Sequence, residues 1–411
     1  MSFFNRSTED FPENIIADIL SRLPVKKIIH CKSVCKNWRM LISDSYFVNL
    51  HLSRSPANVM IRHELGDSSD FDSDSELEDW DEPGALKWLE IKGEQDDTHL
   101  HHDIIMNIDL NDVPVFQDSN VLIVGSVNGL ICLWQYGPIP EYDNTSICNP
   151  ITKEYVILPR QKYYRLAPAS ARIVYGFGIG LQTKEYKVIR TFQANIPAEF
   201  TSSRPHILEA EIYTLGTGQW RHLGHVPYWF SGSPGGFFLN GCVHWVVLDR
   251  DSPEKLCSFD FDNDTFQLFP SPPSDELVGD IRCQTSGILH GFLSLTDTSL
   301  YKFNIWVMKD YGIKKSWHKE VVIMESIIPW PTRERVYLLE ALEDGTILMS
   351  FNDKLFVYCP RKKTIEGGVF SELYLTGVSY HPSFVKLQTF ESERVHVGLC
   401  PKGPDSPVGC S

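Results

Sequence analysis

The sequence predicts two unlike domains. One is a small all-α module of three helices within residues 8–52; the other is an all-β propeller of six blades that occupies most of the remaining chain. Three observations carry this. Apolar residues recur at helical spacing only near the N-terminus. From about Val121 onward the chain is a succession of runs rich in Val, Ile, Tyr, Phe and Trp, parted by turn residues, with 27 Gly and 25 Pro in the whole sequence. A tight-turn signal flanked by apolar runs returns every 50 to 56 residues.

In the helical module, Phe11, Ile15, Ile16, Ile19, Leu20 and Leu23 fall on one face. Asp10 with Glu13 fits a capping box, and Pro12 suits the first turn, where its missing N–H is not needed. Leu23-Pro24 then stops the helix, because the residue before a proline is pushed out of the α region. Val25, Ile28, Ile29, Cys31, Val34 and Cys35 form the broad apolar face of a second helix. Ser33 is placed to cap a third, which carries Trp38, Leu41 and Ile42. So small a unit is near the limit for folding alone. Its apolar surface must therefore be covered by another part of the chain or by a partner.

The bulk composition bounds the rest. The chain has 411 residues, 42% hydrophobic and 22% charged, with a formal net charge of -15 that argues against a nucleic-acid backbone as partner. Its 10 Cys form no C-x-x-C pair and mostly sit in apolar runs, as buried free thiols of a reducing compartment do. The polar N-terminus does not fit a signal peptide, and no run approaches the ~18 apolar residues of a membrane span. The expected location is intracellular, nucleus and/or cytoplasm, with no membrane partner. Residues 53–98 read as a connection with early strands. Within it, the tract 64–82 holds ten acidic residues and no Lys or Arg, the composition of a disordered loop. Ser69, Ser73 and Ser75 each have an acidic residue three positions on, the spacing acidophilic kinases favour.

The propeller is assigned to residues 99–390, with strands from 57–92 able to contribute. Turns at Asn128-Gly129, Asn240-Gly241, His290-Gly291 and Asp344-Gly345, with a degenerate copy at Lys184, open successive units. Asn-Gly and Asp-Gly favour the type I′ hairpin, whose two central residues need φ > 0. A second strand pair follows in each unit, as in Ser146–Leu158 and Leu256–Leu268. Four strands in about 50 residues make a propeller blade, and a ring of blades covers each sheet face with its neighbours. A sixth blade can be assembled from strands near Val59–Arg62, Leu86–Ile91 and Ile104–Leu110 with the closing run Tyr374–Leu387, leaving no open edge. The tail 391–411, polar with Gly and Pro, is expected to be disordered.

Two resemblances follow from these residues. Phe11-Pro12, Ile15-Ile16, Ile19-Leu20, Arg22-Leu23-Pro24, Val34-Cys35-Lys36-Asn37-Trp38 and Leu41-Ile42 resemble the F-box pattern, departing from its commonest form at Phe11, where Leu is usual. Gly176–Gly180 with Glu185–Val188, Gly236–Trp245, and Ile305–Trp317 are similar to the kelch-like F-box-associated interaction domain of plant F-box proteins, over roughly 100 to 385. The resemblance implies a non-catalytic substrate receptor of an SCF (Skp, cullin, F-box) ubiquitin ligase, working in protein ubiquitination. It would bind the Skp adaptor, and through it cullin, by the F-box and a target protein by the propeller. Family contacts to the adaptor map onto Pro12, Ile15, Ile16, Ile19, Leu20, Leu23, Val34, Cys35 and Trp38, some of which also hold the helices together.

Other chemistry finds little support in the sequence. Gly176-x-Gly178-x-Gly180 has the wrong spacing for a dinucleotide fingerprint, and a strand follows it. His99, His101, His102 and Asp103, and separately His222 and His225, lack further ligands at a metal-binding spacing. Asp260, Asp262 and Asp264 lack the Gly and bidentate Glu of a calcium loop. No cofactor and no metal are expected. Tyr163, Tyr164, Arg165, Tyr228, Trp229 and Phe230 lie between blades, where propellers place binding loops, and are the candidate target contacts. Two alternatives stay open. One is an F-box scaffold or inhibitor acting outside ubiquitination; the other is a propeller enzyme, which would need carboxylates or metal ligands converging at the ring centre.

Overall fold

Four helices rather than three open the chain in the computed structural model. It describes residues 11–63, 85–92, 101–117, 120–136, 144–160, 172–195, 206–231, 235–247, 256–273, 284–299, 302–329, 335–342, 344–351, 354–367, 375–399 and 401–402. The acidic tract with Ser69, Ser73 and Ser75, and the Tyr163-Tyr164-Arg165 group, lie outside these residues.

Helix α1 spans Glu13–Leu20 with Pro12 itself at the N-cap, so the first turn starts two residues later than the capping box predicts. Pro24 likewise caps α2, Val25–Cys31. Ser33 does not cap α3, Lys36–Ile42; Cys35 does, its Sγ accepting the Trp38 N–H at 3.4 Å. The unforeseen α4, Ser45–Leu52, is capped by Asp44, whose Oδ1 accepts the Tyr46 N–H at 2.8 Å. Its apolar residues are spread round the helix, which hides it from a periodicity search. Arg54 reaches back from the end of α4 to Asp18 Oδ1 at 2.6 Å and to Ser21 Oγ, tying the last helix to the first.

The rest is a ring of six antiparallel sheets. Strands β1 (Asn58–His63), β2 (Ala85–Lys92) and β3 (His101–Asp109) form most of one blade. The next is β4 (Asn120–Val127), β5 (Leu130–Tyr136), β6 (Asn144–Asn149) and β7 (Glu154–Ile157). It is followed by β8 (Arg172–Ile179), β9 (Tyr186–Asn195), β10 (His206–Thr214) and β11 (Trp220–His225). In the fourth blade the inner strand is split into β12 (Phe230–Ser231) and β13 (Phe237–Leu239). Both pair with β14 (Cys242–Val247), and β15 (Leu256–Asp260) and β16 (Thr265–Phe269) complete the sheet. Then come β17 (Gln284–Leu289), β18 (Phe292–Ser299), β19 (Lys302–Met308) and β20 (Trp317–Met324), and β21 (Tyr337–Ala341), β22 (Ile347–Phe351), β23 (Lys354–Cys359) and β24 (Thr364–Gly367). Finally β25 (Leu375–Tyr380) pairs with β1, Val59 opposite Ser379 and Ile61 opposite Gly377, so the two halves of the chain close one blade together as expected.

Backbone angles bear out the turn reading with one variation. Asn128, Asn240 and His290 have φ of 50°, 51° and 50°, and each is followed by a glycine with φ between 76° and 80°, the type I′ signature. At Asp344-Gly345 only the glycine is left-handed (φ 87°). There Leu342 O accepts the Gly345 N–H and the Leu342 N–H bonds Thr346 O, a loop one residue longer. Neighbouring blades are also linked at their rims. Trp220 Nε1, at the start of β11, donates to Pro159 O at 2.8 Å, just past the preceding blade's outer strand β7; Trp317 Nε1, at the start of β20, donates to Pro270 O at 3.0 Å, just past β16. The four strand tryptophans are core as predicted, with Trp220 half-buried and Trp245, Trp306 and Trp317 buried.

The tail departs from expectation. Residues predicted to be disordered from 391 onward instead add β26 (Val395–Val397) to the outer edge of β7 and β27 (Pro401–Lys402) to that of β3. On the way, Glu393 Oε1 accepts both the Tyr213 hydroxyl and the Gly216 N–H at 2.7 Å. Polar composition concealed this because the segment is held by backbone pairing, one carboxylate and isolated apolar anchors, Val395 and the fully buried Leu399, that make no periodic pattern.

Candidate functional site

Strand direction decides which surfaces share an end of the ring. Each inner strand (β4, β8, β13, β17, β21) runs toward its hairpin turn, and β25 ends at the same level, with Tyr380 opposite Asn58 and the Ser383 hydroxyl donating to Asn128 O. The chain passes from α4 into β1 at this end, so the helices sit on the hairpin-turn end. The blade-to-blade connections lie at the other end. His63 and Ala85, which flank the acidic tract, are also at that far end, since Arg62 pairs with Leu86.

The helices are packed against the ring, not tethered to it. One apolar cluster joins Ala17, Leu20, Ile28, Ile42, Phe47 and Val48 to Met60, Trp88, Ile151, Tyr380 and Phe384. Phe384 is the hub. Its ring centroid lies 6.4 Å from Phe47 and 5.3 Å from His51, and Lys32 Nζ stands 4.4 Å above it. Burial pulls His51 down to about 4 and, with help from Lys386 and against Glu154, Lys32 down to about 8.

The outward side of the helical module is apolar and bare. Phe11 is 62% exposed, Ile15 43%, Ile19 56%, Val34 65% and Met40 72%, and Pro12 and Cys35 are exposed beside them. This divides the nine predicted adaptor contacts. Pro12, Ile15, Ile19, Val34 and Cys35 are on the open face. Ile16, Leu23 and Trp38 are half-buried and pack on the shared core. Leu20, at 3% exposure, belongs to that core and is corrected from contact to structural residue. Met40 and Tyr46 extend the open face and went unnoticed, Tyr46 because α4 itself was missed.

At the far end, Phe230 is a second correction. It is fully buried as part of β12, in the cluster with Trp245 and Phe259, because a strand pairs there where a loop was expected. Tyr228 and Trp229 are half-buried against the same cluster.

The acidic repeat Asp260, Asp262, Asp264 is a clasp between blades. The Asp262 carboxylate accepts the backbone N–H groups of Leu181, Gln182 and Thr183 and the Thr183 hydroxyl at 2.9–3.1 Å. Burial alone would raise its pKa, but these four donors together hold it below the usual carboxylate range. Asp264 takes Lys187 Nζ at 3.0 Å and pairs with Arg221. His222 and His225 are exposed on β11, opposite Glu211 and Glu209. Among the described residues no three His, Cys, Asp or Glu side chains converge as metal ligands, and no helix is long and apolar enough to cross a membrane.

The ring centre holds a cavity of about 420 Å³. Ile123, Phe237, Phe238, Ile288 and Val378 line it together with several glycines, and Glu340, Ser126, Ser379 and His381 are its polar side chains beside Asn128. Leu52 and Ala57, at the end of the helical module, close one side.

Comparison with known proteins agrees with this division of the chain. Residues 9–50 match the F-box domain family, and residues 94–387 match the F-box associated beta propeller domain family. An F-box protein of Arabidopsis thaliana is 27% identical over 406 residues, covering 90% of this chain and 88% of the relative. An F-box/kelch-repeat protein of the same plant is 26% identical over 392 residues, covering 90% and 95%. Among solved structures the Aleuria aurantia lectin is similar at a TM-score of 0.37 and 10% identity, over 70% of this chain and 87% of the lectin, too distant to argue from.

Proposed function

The chain belongs to the F-box proteins that carry an F-box associated β-propeller domain, and from that premise we propose that it is a non-catalytic substrate receptor of an SCF-type ubiquitin ligase. The observation that carries this reading is the bare apolar face of an otherwise well-packed F-box. Phe11, Ile15, Ile19, Val34 and Met40 point away from the ring although the opposite side of the same helices is buried in it. An apolar patch of this kind marks a protein partner. The partner proposed is a Skp-family adaptor, and through it a cullin. The target protein is assigned to the far end of the ring, where Tyr228 and Trp229 lie. The chain would act by raising the local concentration of target beside the ubiquitin-conjugating enzyme, with no bond made by its own side chains. The packed F-box joint supports this reading, since a receptor must hold its two partners at a set separation.

Co-expression of the full chain with a plant Skp adaptor, followed by size exclusion, tests the proposal. A stable one-to-one complex that Ile19→Asp abolishes is the expected result. A wild-type chain that elutes alone, folded and indifferent to the adaptor, overturns it.

A further inference from the structure

The cavity at the ring centre has one feature that packing does not require. β21 carries a bulge: Leu338 pairs with Met349 and Glu340 with Leu348, so Leu339 is an extra residue on that strand. A bulge changes the face the following side chain takes, and here it turns Glu340 into the cavity. Glu340 Oε1 accepts the Ala341 N–H at 3.0 Å, and Oε2 accepts the Ser379 hydroxyl. Both donors are neutral. Burial pushes the carboxyl up and these two bonds pull it back; among the described residues no Lys or Arg pairs with it. A carboxylate set among aliphatic and aromatic walls is costly unless it takes up a proton or something cationic completes it.

We propose that this cavity is a binding site for an alkylammonium group, with Glu340 receiving the charge and the apolar wall holding the methylene stem. The volume of about 420 Å³ accommodates a stem of several methylenes. Phe237, Phe238, Ile288 and Val378 supply the apolar surface a stem needs. The carboxylate geometry favours an ammonium over a guanidinium. A guanidinium fork wants both oxygens free side by side, but each already takes a donor of the protein, which leaves room for a compact charge with rotatable donors. The group could be a lysine side chain of a bound polypeptide or a small aliphatic amine; the chemistry is the same. Leu52 and Ala57 border the cavity, so occupancy also braces the joint between the F-box and the ring.

The site stands apart from adaptor binding and is tested on the full chain. Capped pentapeptides of glycine with a central lysine or norleucine, and n-pentylamine alone, are titrated by calorimetry and thermal shift. The lysine peptide is expected to bind at least about tenfold more tightly than the norleucine peptide, the scale of one charge-assisted bond. Glu340→Gln, nearly isosteric, keeps the Ala341 bond through its oxygen and donates to the Ser379 hydroxyl through its NH2; it should erase that difference while leaving the melting curve and adaptor co-elution unchanged. Ile288→Trp should fill the cavity and weaken lysine binding. Pentylamine binding as tightly as the peptide identifies a small amine as the ligand; peptide binding alone identifies a polypeptide side chain. Equal binding of lysine and norleucine, no binding of any probe, a preference that survives Glu340→Gln, or lysine binding unmoved by Ile288→Trp in a folded protein would each overturn the proposal.

Discussion

Asn149 is where the closure of the ring is most open to test. Its side chain is fully buried at the end of β6. Nδ2 donates to Ser383 O at 3.1 Å and to Val385 O at 2.7 Å, and Oδ1 accepts the Ile151 N–H at 2.9 Å. At the first residue past the next turn, Glu154 Oε2 accepts the Leu387 N–H at 2.6 Å. One outer hairpin therefore grips the segment that follows the closing strand β25 and carries Phe384 to the F-box. Asn149→Ala removes three hydrogen bonds worth about 1 kcal/mol each, so a loss of about 3 kcal/mol is expected, with more if the two carbonyls stay dry. Asn149→Asp keeps the shape and is more telling. It sets a carboxylate against two carbonyl oxygens with no water, so its folded pKa must rise above the unfolded value of about 3.9. A group with a raised folded pKa contributes fully below the unfolded pKa and loses that contribution as pH rises through the folded one. Protonated, it still offers one donor; ionised, it offers none. The Asn149→Asp variant should therefore melt closer to the wild type at pH 5 than at pH 8. At pH 8 its deficit should exceed that of Asn149→Ala, with a melting point lower than wild type by about 4 °C or more. Tryptophan fluorescence melts at the two pH values measure this. An Asn149→Asp protein as stable as the wild type at pH 8 would refute the clamp.

Four further outcomes are expected. Ile19→Asp or Val34→Asp should abolish adaptor co-elution with an unchanged melting curve, whereas Leu20→Asp should unfold the F-box, because it buries a charge in the shared core at a cost of several kcal/mol; far-ultraviolet circular dichroism separates the two. His51 and His244 are buried and held neutral, each lowered from 6.5 to about 4 by burial, so stability is intact above pH 6.5 and declines as pH falls toward 4, by up to about 3 kcal/mol for each; Phe substitution at either position should flatten that decline in urea titrations. Gly129→Ala should cost about 2 kcal/mol or more, since φ is +80° and the new methyl would lie 2.6 Å from the Ser383 backbone nitrogen. Truncation after Phe390 removes β26, β27 and the Glu393 bonds, and should expose the β3 and β7 edges to hydrogen exchange while the F-box still binds the adaptor.

Much of this architecture could be read from local signals. The Asn-Gly turns require left-handed backbone wherever they occur, so Asn128, Asn240 and His290 marked the blades without any knowledge of their neighbours. The sixth blade was legible for a related reason: strands left over at both ends of an otherwise repeating chain have each other as the natural partners. The F-box was recognisable because its helices, its two prolines and its apolar spacing are local. What the sequence could not separate was the two sides of that module. Leu20 and Ile19 are neighbours with the same chemistry, yet one is buried against the ring and the other faces out. That choice depends on where Phe47, His51 and Phe384 meet, more than 300 residues apart in the chain. The burial of Phe230 in a split inner strand, the grip of Asn149 on residues 383–385, and the turning of Glu340 into the cavity by one extra residue likewise depend on contacts between blades. Local propensity and periodicity determined the elements and their count, because those energies are summed over neighbours in sequence. Which face of each element is free was decided only when the ring closed, because exposure is a property of what packs alongside, and the chain brings that from far away.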